Sequence, residues 1–371
     1  MTALAIEPTP GVREPALLVE PALRAAVTGL PGYVAGARAQ SLLTAALASN
    51  ESHYPPLPAV IDIVQSGALR VNRYPDMSAI ALREAIAGFT GVSAPEVAVG
   101  PGSVGVLQQI LVSVCDAGDE VVFAWRSFEA YPILASLAGA SPVPVPLDAE
   151  EGHDLDAMLA AITPRTKVVL ICSPNNPTGV AIAHQPLAAF LAAVPPGVLV
   201  VIDEAYVEFT DMADRLDALA LFRRHANVCV LRTFSKAYGL AGLRVGYAIA
   251  HPGLAEGLRR AALPFGVSAL AQQAAIASLD AVGEIRDRVA LVVAERRRVT
   301  DALRSIGWTP PESQANFVWL RADDHRQKSL LRAFHEADVL VRLYAGDGIR
   351  ITLADAVTND RVLSVLRELT G

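Results

Sequence analysis

Short apolar runs, many of them β-branched, recur along the first two thirds of the chain and alternate with longer stretches rich in Ala and Leu. Nearly every position in a run is apolar, which predicts strands covered on both faces, as in a parallel sheet. The stretches between the runs predict the crossover helices of such a sheet. The runs are EVAVG (96–100), EVVFAW (120–125), VPVPL (143–147), KVVLICS (167–173), VLVVID (198–203), VCVLRT (228–233) and VGYAIA (245–250).

The pattern changes after Pro264. A long helical pattern there precedes the strand-like SQANFVWLRA and a final helical RVLSVLRELT, which predicts a smaller α+β domain. The first residues, up to about position 30, are rich in Pro and Gly and predict an arm. We therefore expect an α/β fold in three parts: an arm with part of the small domain (1–49), a large domain whose mostly parallel sheet is flanked by helices (50–263), and a small C-terminal domain (264–371).

Composition narrows the class of protein. The chain has 371 residues, of which 52% are hydrophobic and 19% charged, so it predicts a folded protein with room for two cores. The net charge is −7 and Lys and Arg form no block, so no nucleic-acid partner is expected. No apolar run approaches the roughly 18 residues of a membrane span, and the N-terminus does not resemble a secretory signal. We expect a cytoplasmic protein.

The three cysteines are Cys115, Cys172 and Cys229. They are isolated and lack the spacing of a metal site or of a disulfide framework. A reducing compartment fits this pattern, and we expect no metal.

Polar and aromatic residues follow the ends of several apolar runs. In open sheets of this kind, ligands bind outside the carboxyl ends of the strands. The segments at these ends therefore predict one ligand site, and they are GPGS (100–103), RSFEAY (126–131), SPNNPTG (173–179), DEAY (203–206) and TFSK (233–236).

The segment GPGSVG (100–105) has the G-x-G-x-x-G spacing of a dinucleotide-binding turn, with acidic residues about 20 positions on. A tight strand-to-helix turn explains the same spacing equally well. In either case a helix N-terminus offers free N–H groups to a phosphate. A nicotinamide dehydrogenase would leave Asp203, Lys236 and the NNPTG segment without a role.

Three charged residues at the strand ends indicate one cofactor. Taken alone, Asp203 is most simply a helix N-cap, and Lys236 is equally well a surface lysine. Together with Arg244 they match pyridoxal 5′-phosphate, whose ring nitrogen needs an anion, whose aldehyde needs an amine and whose phosphate needs a cation. Asp203, Lys236 and Arg244 would meet these needs in that order. Further phosphate donors would be the Ser235 hydroxyl and the amides of Gly102 and Ser103.

Seven longer motifs occur in order over almost the whole chain. They are VNRYPD (71–76), FAWRSFEAYP (123–132), SPNNPTG (173–179), IDEAYVEF (202–209), RTFSKAYGLAGLRVGY (232–247), SQANFVWL (313–320) and VRLYAGDGIRIT (341–352). This set resembles the fold-type I pyridoxal-phosphate aminotransferases, in particular the histidinol-phosphate aminotransferase subgroup. Within that subgroup, WRSFEAYP and SQANFVWL are most similar to members described as aromatic amino acid, or phenylalanine, aminotransferases.

The resemblance implies roles for further cofactor contacts. Asn176 and Tyr206 would bond to the ring oxygen, Phe128 would stack on the ring, and Thr233 would lie at the cofactor. Tyr74 would reach the phosphate bound by a neighbouring subunit, which implies a homodimer with shared sites. Taken alone, Phe128 fits an ordinary core residue, and Asn176 and Tyr74 fit turn residues beside proline.

For the substrate, the resemblance implies that Arg350 binds an acidic group, with Arg342, Tyr33 and Asn316 nearby. It implies transamination between an aromatic L-amino acid and 2-oxoglutarate. Histidinol phosphate is the alternative donor, because arginine forks bind carboxylate and phosphate alike. The segment SNESHYPP (49–56) departs from the usual Asn-Glu-Asn-Pro pattern, which leaves the donor open.

Two other activities fit the sequence less well. A decarboxylating lyase of the same fold is disfavoured by GLAGLRVGY and NNPTG. A cofactor-binding sensor would usually carry a DNA-binding module, and the first thirty or so residues are too few and too acidic for one.

Overall fold

A computed structural model describes residues 21–30, 32, 41 and 43–369. Its helices are α1 Ala25–Thr28, α2 Pro58–Gly67, α3 Ile80–Thr90, α4 Gly102–Val114, α5 Ala130–Leu137, α6 Leu155–Ala160, α7 His184–Ala193, α8 Ala218–Arg224, α9 Pro252–Arg260, α10 Ala269–Asp280, α11 Val282–Ser305, α12 Asp324–Glu336 and α13 Ala356–Glu368. None of the helices in this described part has both the length and the apolar character needed to cross a membrane.

The strands are β1 Ala45–Ala46, β2 Val97–Gly100, β3 Glu120–Trp125, β4 Ser141–Pro146, β5 Thr166–Cys172, β6 Leu199–Asp203, β7 Val228–Thr233, β8 Gly246–Ile249, β9 Phe317–Arg321, β10 Val339–Leu340, β11 Arg342–Tyr344 and β12 Gly348–Thr352. The large sheet has the order β2-β8-β7-β6-β5-β3-β4. Strand β8 is antiparallel to β2 and β7, and the other neighbouring pairs are parallel. The predicted α/β class with a mostly parallel sheet is confirmed.

Both faces of the large sheet are buried, as the apolar runs predict. Along β3, Val121 and Phe123 enter one hydrophobic cluster, while Val122 and Ala124 enter another on the opposite face. Helices α4, α5 and α9 contribute to the first cluster, and α7 and α8 contribute to the second. Because each face is covered, an alternation of polar and apolar positions would place polar groups in the core.

The C-terminal region contains a small antiparallel sheet of order β11-β12-β9. In its register Arg342 lies opposite Arg350. The helical pattern after Pro264 forms two helices, α10 and α11, separated at Ala281. Helix α10 packs against α2 and α3, and β1 pairs with β10. The division at residues 49/50 and 263/264 stays a prediction.

The parallel strands bring the polar segments to one edge of the large sheet. Strands β3, β5, β6 and β7 run in the same direction and end at Trp125, Cys172, Asp203 and Thr233. Their following residues therefore surround one space, as the open-sheet rule predicts.

Candidate active site

A cavity of about 330 Å³ lies at this edge of the large sheet. Ala48, Ser49, Glu51 and the strand pair β11–β12 also contribute to its wall. Most of the predicted site residues line it, and these are Ser103, Phe128, Asn176, Asp203, Tyr206, Thr233, Ser235, Lys236, Arg244, Arg342 and Arg350. The fold thus brings together groups that lie up to 247 positions apart in the sequence, counted from Ser103 to Arg350 (350 minus 103).

Lys236 lies in the wall of this cavity, three residues after β7 ends. Its Nζ donates a hydrogen bond to the carbonyl oxygen of Ser49 at 2.9 Å and lies 5.8 Å from the centre of the Tyr206 ring. Burial lowers the pKa of the Lys236 amine from 10.5 to about 7, and the positive charge of Arg350 acts in the same direction. A lysine with this pKa is partly neutral at neutral pH, so it can act as a nucleophile or a base.

Asp203 is the last residue of β6 and is buried. Its Oδ2 accepts a hydrogen bond from the Tyr131 hydroxyl at 2.8 Å, while its buried Oδ1 has no hydrogen-bond partner among the described residues. Burial raises the pKa of Asp203 to about 6, against the opposing effect of the Tyr131 hydrogen bond. A buried carboxylate oxygen without a donor is costly, so a cationic N–H group in the cavity would stabilise this site.

The N-terminus of α4 and Arg244 form an anion-binding corner. The first turn of α4 contains no acidic residue and its N-cap makes no side-chain hydrogen bond. Arg244 lies against it: a Cβ built on Gly102, whose φ is +76°, would lie 2.2 Å from Nη2 of Arg244. Arg244 Nη1 donates to Ser235 Oγ at 3.2 Å. The guanidinium and the helix N-terminus are both positive, so an anion bound between them would stabilise this arrangement.

Arg350 lies on the buried strand β12, and hydrogen bonds fix its guanidinium. Its Nη1 donates to Asn176 Oδ1 and, at 3.0 Å, to the Tyr344 hydroxyl. Its Nη2 donates to the carbonyl oxygen of Ala48 at 2.6 Å. The Tyr344 hydroxyl also donates to Asn176 Oδ1 at 3.3 Å. This arrangement places a fixed cation at the cavity wall, which suits a carboxylate.

The segment before α2 is held at the site by Asn50. Asn50 Nδ2 donates to the Tyr206 hydroxyl at 3.0 Å. The Thr352 hydroxyl donates to Asn50 Oδ1 at 2.9 Å, and Asn316 Nδ2 donates to the Asn50 carbonyl oxygen at 3.2 Å. Asn316 is buried and lines a smaller cavity beside the main one, which Lys236 also lines. Asn316 therefore supports Asn50 from behind the main cavity.

Tyr74, another predicted site residue, lies elsewhere. The Tyr74 side chain is 83% exposed and does not line the main cavity, and its ring lies 4.5 Å from that of Phe265. Tyr33 lies outside the described residues. Phe128 is half-buried at the cavity and meets the Tyr131 ring edge-to-face at 5.6 Å.

Several residues of the site have no role that the sequence predicts, among them Tyr131, Glu129 and Tyr344. Tyr131 and Glu129 belong to the segment RSFEAY, which follows a strand. Its place after a strand predicts that it lies at the ligand site, but not which residues it contacts. Glu129 Oε2 accepts a hydrogen bond from Arg342 Nη2 at 2.5 Å, and both residues line the cavity. No spacing rule links two residues 213 positions apart.

Comparisons with known proteins agree with this geometry. The family model for aminotransferase class I and II matches residues 45–367. The chain is 52% identical to the aromatic amino acid aminotransferase of Streptomyces coelicolor, over 94% of this chain and 97% of that protein. It is 50% identical to the enzyme of the same name from Rhodococcus jostii, over 93% of this chain and 95% of that protein.

Solved structures agree as well. A histidinol-phosphate aminotransferase from Sinorhizobium meliloti, in complex with pyridoxal-5′-phosphate, matches with a TM-score of 0.84 and 28% identity, covering 93% of this chain and 96% of that one. The family resemblance found in the motifs is thus confirmed. The chain belongs to the class I and II aminotransferases, and it is an aminotransferase.

Proposed function

We propose that this aminotransferase transfers the amino group of an aromatic L-amino acid to 2-oxoglutarate, giving an aryl 2-oxo acid and glutamate, with pyridoxal 5′-phosphate as cofactor. The observation that carries the proposal is the placement of Lys236 and Asp203 on one cavity, the first with an amine pKa of about 7 and the second with an unpartnered buried oxygen. The choice of donor is supported by relatives with about 50% sequence identity whose names specify aromatic amino acids.

The residues present fit the cofactor. The unpartnered Asp203 Oδ1 matches a protonated ring nitrogen, and the corner formed by Arg244, Ser235 and the α4 N-terminus matches a phosphate. Gly102 allows the Arg244 guanidinium to approach that corner, because a Cβ there would lie 2.2 Å from its Nη2. Further contacts that we assign to the cofactor on the basis of the family resemblance come from Ser103, Thr233, Phe128, Asn176 and Tyr206.

Bound pyridoxal 5′-phosphate would supply an aldehyde for the amino group and a ring that accepts the electron pair left at Cα. Lys236 acts as the general base that takes the Cα proton from the donor and later returns a proton. Arg350 binds the α-carboxylate of the substrate and orients Cα toward Lys236. Asp203 keeps a positive charge on the ring nitrogen stable, because its carboxylate lies in a buried position with Tyr131 as its donor.

Histidinol phosphate is the second candidate donor, because Arg342 and Arg350 both line the cavity and guanidinium groups bind phosphate as well as carboxylate. The solved structure from Sinorhizobium meliloti is named for that donor. The two donors differ in charge and in shape, so one cavity is expected to use one of them much faster.

A single-turnover experiment tests the proposal. Cofactor-loaded enzyme is mixed with phenylalanine or with histidinol phosphate, without any acceptor, and the released oxo product is measured by chromatography. About one equivalent per site should appear, faster from phenylalanine, since transamination proceeds in two halves. Adding 2-oxoglutarate should then permit continuous turnover. Faster release from histidinol phosphate would assign the enzyme to the second candidate, and no release from either would contradict the proposed donor class.

We also propose a homodimer whose subunits share their active sites. Tyr74, Val71 and Leu69 are exposed beside a groove of about 640 Å³ that Phe265 and Leu270 help to line. Exposed apolar groups around one groove indicate an interface, and the family resemblance implies that Tyr74 reaches the phosphate bound by the neighbouring subunit.

Sedimentation equilibrium should give twice the mass of the chain. Mixed dimers of Lys236→Ala and Tyr74→Phe chains should regain one site with wild-type cofactor affinity, because that site combines an intact Lys236 with an intact Tyr74 from the other subunit. A monomer, or mixed dimers no better than the parents, would contradict shared sites.

A further inference from the structure

Glu129 and Arg342 form an ion pair in the wall of the cavity. Glu129 precedes the first residue of α5 and its carboxylate makes no cap hydrogen bond to that helix. Arg342 is the first residue of β11. The Arg342 Nη2 and Glu129 Oε2 atoms are 2.5 Å apart, and the two side chains are only 10% and 28% exposed. The pair thus connects the segment that follows strand β3 of the large sheet to strand β11 of the small sheet, and both residues line the cavity.

The other cationic side chains in the lining of the cavity have roles under the proposed function, as does Asp203. Arg244 and Asp203 serve the cofactor, Lys236 serves proton transfer, and Arg350 serves the α-carboxylate. Arg342, which pairs with Glu129 and also lines the cavity, is the cation that we assign to the side chain of the substrate. Its guanidinium also lies 5.6 Å from the centre of the Tyr344 ring, a flat aromatic surface beside the same position.

We propose that Glu129 is a specificity-determining residue, which neutralises Arg342 so that the cavity favours an uncharged side chain over an anionic one. This inference rests on the proposed function. A carboxylate on the side chain of the substrate has to compete with the Glu129 carboxylate for Arg342 and also meets its negative charge. An aromatic side chain needs no new charge partner and packs beside the existing pair.

The same pair has a consequence for the acceptor. 2-Oxoglutarate carries a second carboxylate, so Arg342 must exchange Glu129 for that group when the acceptor binds. The exchange of one carboxylate for another conserves the charge on Arg342, but it leaves Glu129 without its partner. The enzyme therefore accepts 2-oxoglutarate at lower affinity than an unpaired Arg342 would give, and it keeps the cavity suited to aromatic donors.

Binding of unreactive analogues to the cofactor-loaded enzyme tests the role of Glu129. Calorimetric titration gives Kd for 3-phenylpropionate, which has one carboxylate and a ring, and for glutarate, which has two carboxylates. In Glu129→Gln, the ratio of the glutarate Kd to the phenylpropionate Kd should fall about tenfold, equivalent to about 1.4 kcal/mol. In the same variant, glutamate, whose second carboxylate is on its side chain, should gain in single-turnover rate relative to phenylalanine.

A second variant shows whether the effect passes through Arg342. In the double variant Glu129→Gln with Arg342→Gln, the gain in glutarate affinity should disappear, and Arg342→Gln alone should raise the Kd ratio above the wild-type value. An unchanged ratio in Glu129→Gln, or a gain that persists in the double variant, would overturn the proposal. Because Arg342→Gln is predicted to act in the opposite direction, it also tests the proposal if Glu129→Gln does not fold.

Glu151→Gln is the matched control. Glu151 pairs with Arg321, a residue of the small sheet, and Glu151 does not line the cavity. Its variant should keep the wild-type Kd ratio, and an equal shift there would overturn the assignment to Glu129. Failure of the proposed aromatic activity is a separate result, seen as no phenylpyruvate from the wild-type enzyme. The analogue ratios report on Glu129 independently of turnover.

Discussion

Replacing Lys236 with methionine should stabilise the cofactor-free protein while abolishing transamination. The amine is largely buried and its pKa falls from 10.5 to about 7, chiefly because burial disfavours the charged form. In the unfolded chain the amine is charged up to about pH 10, so folding at neutral pH has to discharge it or bury it as a cation. Methionine has a similar length and no charge, so it avoids this penalty.

The size of the effect follows from the two pKa values. The pKa of the amine is lower in the folded chain than in the unfolded chain. The fold is therefore destabilised by the full amount at pH values below the folded-state pKa, and not at all at pH values above the unfolded-state pKa. The linkage relation gives about 4 kcal/mol at pH 7, about 3 at pH 8 and about 1 at pH 10. Because Lys236 is only partly shielded and opens into a cavity, water reduces these values to about half. We expect about 2 kcal/mol at pH 7.

Urea unfolding of the cofactor-free wild type and of Lys236→Met, at several values between pH 7 and pH 10, measures this difference. The range lies above the pKa of Asp203, about 6, so that carboxylate stays ionised throughout. The advantage of the variant should shrink steadily as pH rises. Lys328→Met, at an exposed position on α12, should stay within about 0.5 kcal/mol of wild type. A difference between Lys236→Met and wild type that does not vary with pH would refute the reasoning.

Three further substitutions test the cofactor corner and the carboxylate. Tyr131→Phe removes the hydrogen-bond donor to Asp203, so the pKa of Asp203 should rise. Cofactor-dependent turnover should fall roughly tenfold, and the acid limb of its pH profile should move to higher pH. Gly246→Ala places a Cβ 2.4 Å from the backbone nitrogen of Ser103, so urea unfolding should show a loss of about 2 kcal/mol or more. Arg244→Gln should raise the cofactor Kd about 100-fold in fluorescence titration but leave the cofactor-free protein no less stable, because a cation leaves a helix N-terminus. Unchanged values in these assays would contradict the assigned contacts.

Much of the large domain follows from local pattern. The fully apolar runs at β5, β6 and β7 predict buried strands because both faces of the sheet are covered. The reversed direction of β8 was not predicted, since VGYAIA is as apolar as its parallel neighbours. The break at Ala281 was also missed: Gly283 lies two residues further on, but the helical pattern continues past it and no proline marks the break.

In the site, the residues that follow strands and those in the motifs of the family could be predicted from the sequence. Contacts between residues that lie far apart in the chain could not be predicted. Asn50 meets Tyr206 across 156 positions and Glu129 meets Arg342 across 213, and each partner alone is an ordinary polar residue. Such pairs depend on how the small sheet sits against the large one, which no local pattern encodes.

The position of Arg350 links substrate binding to the basicity of Lys236. Arg350 lowers the pKa of the Lys236 amine through its charge, and the same guanidinium is the group assigned to the α-carboxylate of the substrate. A bound carboxylate offsets that charge, so the amine becomes more basic when a substrate lies beside it. Asn176 strengthens the link, because its Oδ1 accepts from Arg350 while its amide is assigned to the cofactor. Burial and the charge of Arg350 together keep Lys236 largely uncharged in the cofactor-free protein above about pH 7. Under the proposed function, a bound substrate carboxylate would then make the amine a stronger base for the Cα proton.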